Sequence, residues 1–472
     1  MSLAAKIAKG TFYQIAGKFA GTLLGLAIIA LMARYLGRAG FGYYTIIVSY
    51  LQFFGVLIDF GLQMTTAQLL ARPGADQSKI FGNLLAVRLL SALVFIGVGS
   101  ALVWLLPYPS EVKIGVGIAA LSFFFISLQS VLIGLYQKHL AMAEVALAEI
   151  WGRLTLLIGV WLTTAFNWGF YPIIIAVSLG SFVNFLILYF SSQNYVRYRL
   201  SWDRKILREI WAVSWPLAIT ISLTLVYFRA DAIILSFVRP PEDVGIYGAA
   251  YKVLEILIQL PYLFLGLILP LLSQFYLTSR PMFDKIFQKS FDFLAILAVP
   301  MVMGTWFLST KIMAFIAGPE FAIAGQPLNI LIIATGMIYF GALAGYTIVA
   351  CGLQKKTIGF YLFDAVFSLI AYLIFIPLYG YLAAAALTVA TEAIIAFSSY
   401  WLLWRRLGLL PQWRVFGKAV LASAVMCLAL WLLPGQSLLT LITLAVVIYF
   451  AILYLLKGFD RQYLELMRQP KI

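Results

Sequence analysis

Thirteen ionisable side chains fall inside stretches that are otherwise apolar: Lys18, Asp59, Arg88, Glu144, Glu149, Arg153, Arg229, Asp231, Lys252, Glu255, Asp292, Asp364 and Glu392. Each costs roughly 2.5–3.5 kcal/mol to place at a bilayer centre on insertion scales, so such groups are retained for pairing, for lining a wet cavity or for holding cargo. Five are cations: Lys18, Arg88, Arg153, Arg229 and Lys252. Cations converging on a cavity imply an anionic ligand, and the forked guanidinium suits phosphate. These five are the expected substrate-binding residues, with Asp59, Asp231 and Glu255 as charge partners.

Depth and spacing sort the set. At about 1.5 Å of rise per residue, Lys18, Asp59 and Arg88 lie near the cytoplasmic ends of their spans, where Lys18 and Arg88 can snorkel to the headgroups or meet Asp59. Arg153, Glu255 and Glu392 lie near the midplane, and Arg229, Asp231 and Lys252 in the outer third. Glu149 and Arg153 are four apart and Lys252 and Glu255 three apart, so both pairs can neutralise themselves on one helix. Arg229 and Asp231 are two apart and point to different faces, which makes Arg229 the strongest single candidate for a cavity cation.

The elements that must position these residues are membrane helices. The chain is 63% apolar and 11% charged, with a mean hydropathy of +0.99, whereas a soluble surface needs roughly a quarter charged residues. Apolar stretches of about 20 residues predict an all-α polytopic protein with fourteen spans, at 12–33, 41–63, 83–106, 113–135, 143–165, 170–192, 211–236, 246–273, 290–310, 325–350, 357–378, 381–403, 415–434 and 437–456. The first span reads as a signal anchor rather than a cleaved peptide. Cys351 and Cys427 offer neither a disulfide framework nor metal spacing. Spaced glycines at 17, 21 and 25 allow another helix to approach span one closely, and Pro216, Pro261, Pro270, Pro300 and Pro377 interrupt later spans.

With the spans alternating across the bilayer, one side holds 23 Lys and Arg and the other five, so both termini are expected in the cytoplasm. The net charge of +15 is then topology, and no soluble basic surface exists to bind nucleic acid. Residues 193–210 form the most basic loop, expected to touch anionic headgroups. Residues 280–290 and the stretch from Lys457, which contains Arg461, Tyr463 and Arg468, suit helices lying in the interface.

Short passages recur in order a little over 200 residues apart: Gly42-Tyr43-Tyr44 with Gly245-Ile246-Tyr247, Lys79-Ile80-Phe81 with Lys285-Ile286-Phe287, and Gln137-Lys138 with Gln354-Lys355. They predict two six-helix parallel-repeat lobes around a central cavity, residues 1–200 and 201–405, followed by two further helices and an interfacial tail over 406–472.

The run Gly37-Arg38-Ala39-Gly40-Phe41-Gly42-Tyr43-Tyr44, followed by Asp59-Phe60-Gly61-Leu62, resembles the opening of the polysaccharide flippases, in the superfamily that also holds the multidrug and toxin extrusion transporters and the lipid II flippases. The resemblance implies alternating-access translocation of an undecaprenyl-diphosphate-linked oligosaccharide from the inner to the outer leaflet of the cytoplasmic membrane, for O-antigen, capsule or exopolysaccharide. It implies a cationic cavity for the diphosphate and glycan, membrane lipid around the tail, and glycosyltransferases and a polysaccharide polymerase as partners. Coupling to H+ or Na+ is implied for some relatives, and Glu392, with no basic residue within four positions, is the carboxylate suited to it. No other cofactor and no metal is implied.

Three rivals bear on function. A multidrug exporter carries cationic cargo and calls for a carboxylate-dominated cavity. A lipid II flippase shares the cationic chemistry and differs in its glycan. A membrane-embedded glycan polymerase or ligase needs catalytic groups on outer loops, and the short outer loops hold little beyond Glu111, Glu242, Asp243 and Glu320. The expectation is therefore a transporter and not an enzyme.

Overall fold

The computed structural model describes residues 3–59, 61–70, 76–433 and 435–458, and the side chains of all these except 3–16, 56, 67 and 216–229. Fifteen α-helices and three short 3-10 turns make up the described chain, which contains no strand. The helices are α1 (Leu3–Asp59), α2 (Leu62–Leu70), α3 (Gln77–Leu102), α4 (Ser110–Lys138), α5 (Met142–Ala165), α6 (Phe170–Ser192), α7 (Arg204–Val238), α8 (Pro241–Leu257), α9 (Gln259–Thr278), α10 (Arg280–Ala317), α11 (Gly325–Ala350), α12 (Ile358–Tyr379), α13 (Tyr381–Leu407), α14 (Arg414–Trp431) and α15 (Leu438–Leu455). A helix satisfies its own backbone polar groups, which hydrocarbon cannot do for it. The protein is a multi-pass membrane protein: among the described residues, twelve helical stretches are long and apolar enough to cross a bilayer.

Two expected spans lie in α1, which is broken at Gly37, where φ is 63° and ψ is −174°; glycine enters this left-handed region without the Cβ clash that other residues meet. The expected span at 211–236 falls in α7, and the one at 246–273 is divided into α8 and α9. Pro261 lies in the first turn of α9, where its missing N–H leaves no bond unmade. Pro270, Pro300 and Pro377 sit inside α9, α10 and α12.

All twelve tryptophans are exposed on the protein surface, together with Leu, Phe and Ile along most helices. Such a surface is untenable in water and ordinary against lipid, with the indoles suited to the interfacial belts.

The chain forms two compact units. The first comprises Met1–Gly248, Ile316–Gly318 and Ser368–Tyr381. Its core gathers Leu62, Leu69, Phe81, Leu132, Tyr136 and Leu188. Within it α7 packs on α1, α2 and α3, and Thr65 and Ser214 share a hydrogen bond of 3.0 Å. The second comprises Ala249–Phe315, Pro319–Phe367 and Leu382–Ile472. It is built around Leu265, Phe283, Phe287, Phe291, Tyr339 and Leu403.

Residues 280–290 correct the expectation of a separate interfacial helix. They are the start of α10, and Phe283 and Phe287 are buried in the core rather than offered to lipid. Their i,i+4 spacing serves an interior stripe as well as an interfacial one, and packing decides between them. The basic tail at Arg461, Tyr463 and Arg468 lies outside the described residues.

The loop between Ser192 and Arg204 is tied to α3. Lys79 and Asp203 form an ion pair of 2.6 Å, Ser78 donates to the Arg197 carbonyl at 2.6 Å, and Asn83 donates to Ser201 and accepts from the Asp203 N–H. A Cβ on Gly82 would lie 2.1 Å from the Arg199 carbonyl oxygen. Lys79 and the backbone N–H of Lys205 hold the Asp203 carboxyl below the usual carboxylate range, while burial and the neighbouring Glu144 carboxylate raise the Tyr195 phenol.

Candidate functional site

Arg88 is 2% exposed and its donors are engaged by protein. Nε donates to the Ser127 carbonyl at 2.7 Å, Nη1 to the Ile58 carbonyl at 2.6 Å, and Nη2 to Asp59 Oδ1 at 2.7 Å and to the Ser130 hydroxyl. The Ile58 carbonyl belongs to the last turn of α1, where carbonyls are left without helical N–H donors. Arg88 therefore staples the end of α1 to α3 and α4, with Asp59 as its counter-charge. In this structure the buried guanidinium is engaged by backbone, hydroxyl and carboxylate.

Arg153 is placed differently. It pairs with Glu149, from Nε at 3.0 Å and Nη2 at 2.7 Å to the same Oε1, and its Nη1 donates to the Gly21 carbonyl of α1 at 2.8 Å. Its side chain is 31% exposed, and three bonds leave two of the five guanidinium N–H groups for another acceptor. The spaced glycines explain the seat. A Cβ on Gly17 would lie 2.7 Å from the Ala146 side chain, on Gly21 3.4 Å from Arg153 Nε, and on Gly25 2.5 Å from Arg153 Nη1. The stripe admits helix α5 at one end and a guanidinium at the other. Lys18 lies one turn before Gly21 on the same helix and is half-buried.

Asp231 is buried, accepts a bond from the Tyr247 hydroxyl and takes the Ala232 N–H at 2.6 Å. The side chain of Arg229 lies outside the described residues. Arg239 donates from Nη2 to the carbonyls of Pro377 and Leu378 at 2.9 Å each. It thereby caps the C-terminal end of α12. The repeated Gly-x-Tyr passages meet inside the first unit. A Cβ on Gly42 would lie 1.8 Å from the Pro241 carbonyl oxygen, and one on Gly245 2.2 Å from the Arg38 carbonyl oxygen. Each glycine thus faces the carbonyl four residues before the other.

In the second unit Lys252 and Glu255 form the expected local pair, at 2.7 Å. Glu392 on α13 is 9% exposed. Close enough for its charge to act on Glu392 is Asp364 of α12, which is fully buried and whose two carboxylate oxygens accept no hydrogen bond. Sequence reading had Asp364 among the in-span carboxylates but gave it no role, although it too lacks a basic residue within four positions. A separate cavity of about 490 Å³ is lined by Phe291, Val299, Ile333, Met337, Phe340 and Phe397 and offers room for hydrocarbon. Among the described residues no three His, Cys, Asp or Glu side chains cluster as a metal site.

Residues 7–276 match the sequence profile of the polysaccharide biosynthesis protein family. The chain belongs to that family. No curated protein matches the sequence. Among solved structures, this member of the polysaccharide biosynthesis family is similar in fold to the lipid II flippase MurJ in an inward closed conformation, with a TM-score of 0.78 at 18% identity over 93% of this chain and 97% of the other. An inward-facing multidrug resistance MATE transporter of the MOP superfamily gives 0.67 at 14% identity over 84% and 98%. A MOP superfamily transporter from Pyrococcus furiosus gives 0.59 at 15% identity over 86% and 95%. This family member thus shares its fold with these solved transporters.

Proposed function

We propose that the protein is a flippase that moves an undecaprenyl-diphosphate-linked oligosaccharide from the inner to the outer leaflet of the cytoplasmic membrane by alternating access, with both termini in the cytoplasm. The observation that carries this reading is Arg153. A guanidinium held deep in a span, seated on the Gly21 carbonyl and still carrying two free N–H groups, is suited to a diphosphate oxygen entering beside it. Glu149 keeps the cation neutralised until cargo arrives, so the unloaded protein does not hold a bare charge in hydrocarbon. Lys18 and Arg229 are the further cations of the proposed cavity, with Lys252 available if its pair with Glu255 opens. Family membership supplies the glycan pathway as context, with glycosyltransferases and a polymerase acting before and after.

The second reading is a lipid II flippase, favoured by the MurJ likeness over nearly the whole chain. Its cargo carries the same diphosphate, so the cations serve either, and the glycan decides.

Binding tests the reading directly. Native mass spectrometry of the purified protein is expected to retain an undecaprenyl-diphosphate oligosaccharide at least tenfold more tightly than the corresponding undecaprenyl monophosphate, and Arg153→Ala is expected to remove most of that preference. Equal retention of both lipids by the wild type would contradict recognition of the diphosphate.

A further inference from the structure

The cavity of about 490 Å³ in the second unit is walled by α10, α11, α13, α14 and the loop of residues 408–413. Four of its lining residues form a closed aromatic collar. Phe291 meets Phe340 and Trp413 at ring-centroid distances of 5.1 and 5.4 Å, and Phe416 meets Phe340 and Trp413 at 5.8 and 5.1 Å. The loop beside the collar is pinned: Gln288 donates to the Gln412 carbonyl at 3.0 Å and accepts from the Gln412 N–H at 2.7 Å, and Arg280 donates to the Leu407 carbonyl at 2.6 Å. Tyr400, which brings a hydroxyl to the wall, spends it on the Phe340 carbonyl at 3.1 Å. The wall therefore presents hydrocarbon and ring faces.

Ordered water needs two to four polar partners, and this cavity does not supply them. From Phe291 at the collar to Met303 the lining follows α10 for about 18 Å at roughly 1.5 Å per residue, close to the hydrocarbon depth of one leaflet. At roughly 30 Å³ for each water-sized group, 490 Å³ takes about 16 methylenes, which is one acyl chain and only about a third of an undecaprenyl chain. Charge flanks the loop end. Arg406 lies in the last turn of α13 and Arg414 in the first turn of α14; both are exposed, and among the described residues neither pairs with a carboxylate. Two such cations beside an acyl-sized cavity suit a phosphodiester headgroup.

We propose that this cavity is a binding site for an anionic phospholipid, one acyl chain passing the aromatic collar and the phosphate held by Arg406 and Arg414. The occupant is a resident membrane lipid and not the transported cargo, so the site does not rest on the flippase reading.

Photolabelling of the full chain in phosphatidylcholine proteoliposomes tests the site, with a trace of phosphatidylglycerol carrying a diazirine near the end of one acyl chain as the probe. Adducts mapped by peptide mass spectrometry are expected at Met303 and Met337, deep in the cavity. Unlabelled phosphatidylglycerol is expected to displace them at roughly tenfold lower concentration than added phosphatidylcholine, and Arg406→Gln/Arg414→Gln to abolish that difference. Val299→Phe, which fills the cavity, is expected to remove the Met303 adduct. Should that variant fail to fold, the arginine pair, both exposed, decides. Absence of adducts at both methionines, or equal displacement by the two phospholipids, would overturn the proposal. Stronger displacement by undecaprenyl phosphate than by phosphatidylglycerol would also overturn it, and would give the cavity to a prenyl chain.

Discussion

Arg88 and Arg153 are the same residue type on two helices of the first unit, α3 and α5, and their surroundings differ. Arg88 is enclosed, holding two carbonyls, a hydroxyl and Asp59, so its removal leaves several acceptors and a carboxylate without a donor. Arg88→Ala is expected to cost about 3 kcal/mol or more, read as a lowered melting temperature in detergent, and Arg88→Lys to recover only part of it, because an ammonium cannot reproduce the fork. A melting temperature within a degree of wild type would contradict the staple. At Gly25 an added methyl would lie 2.5 Å from Arg153 Nη1, the mobile end of a side chain. Gly25→Ala is therefore expected to leave stability nearly unchanged while displacing the guanidinium and weakening lipid diphosphate binding about tenfold; unchanged binding would remove Arg153 from the site. The local pairs at Glu149–Arg153 and Lys252–Glu255 were legible from i,i+4 and i,i+3 spacing, and Asp59 was legible as a partner for Arg88 by depth. The Gly21 carbonyl under Arg153, and the acceptors that close around Arg88, come from other helices, and no spacing along the chain encodes them.

At the scale of elements, the clasp between the Gly-x-Tyr passages has a sharp steric consequence. Gly42 and Gly245 each face backbone rather than a flexible side chain, and backbone cannot swing aside. Gly42→Ala and Gly245→Ala are each expected to cost about 1–3 kcal/mol through overpacking and to open the contact, raising the labelling rate of a cysteine introduced at Thr45. Labelling and melting both at wild-type values would contradict the clasp. The loop between α6 and α7 makes a pH prediction. Because Lys79 lowers the Asp203 carboxyl, the tie is complete above the ordinary carboxylate pKa of about 3.9 and is lost as pH falls through the lower folded value. Hydrogen exchange in residues 197–203, corrected for intrinsic rate, is expected to be unchanged between pH 7 and pH 5 and faster only below about pH 4; loosening already at pH 6 would contradict it. The helices were legible because apolar length reports on a bilayer directly. The break between α8 and α9 was legible at Pro261, whereas the absorption of residues 280–290 into α10 was not, since it turns on what Phe283 and Phe287 pack against.

For the whole molecule, the repeated passages were legible as an order and an offset, and two of them face one another in the fold. Legibility ends at the cargo: cations in membrane helices announce an anion, while the sugar contacts that separate one lipid-linked glycan from another follow no pattern of charge. The measurement that bears most directly on the account is leaflet-specific protection of a labelled undecaprenyl-diphosphate oligosaccharide in proteoliposomes, run beside lipid II and a cationic dye. Protection of the oligosaccharide is expected with the wild type, at a rate at least tenfold slower in folded Arg153→Ala. Protection of lipid II alone would replace the cargo with the peptidoglycan precursor, and uptake of the dye with neither lipid protected would contradict the central claim.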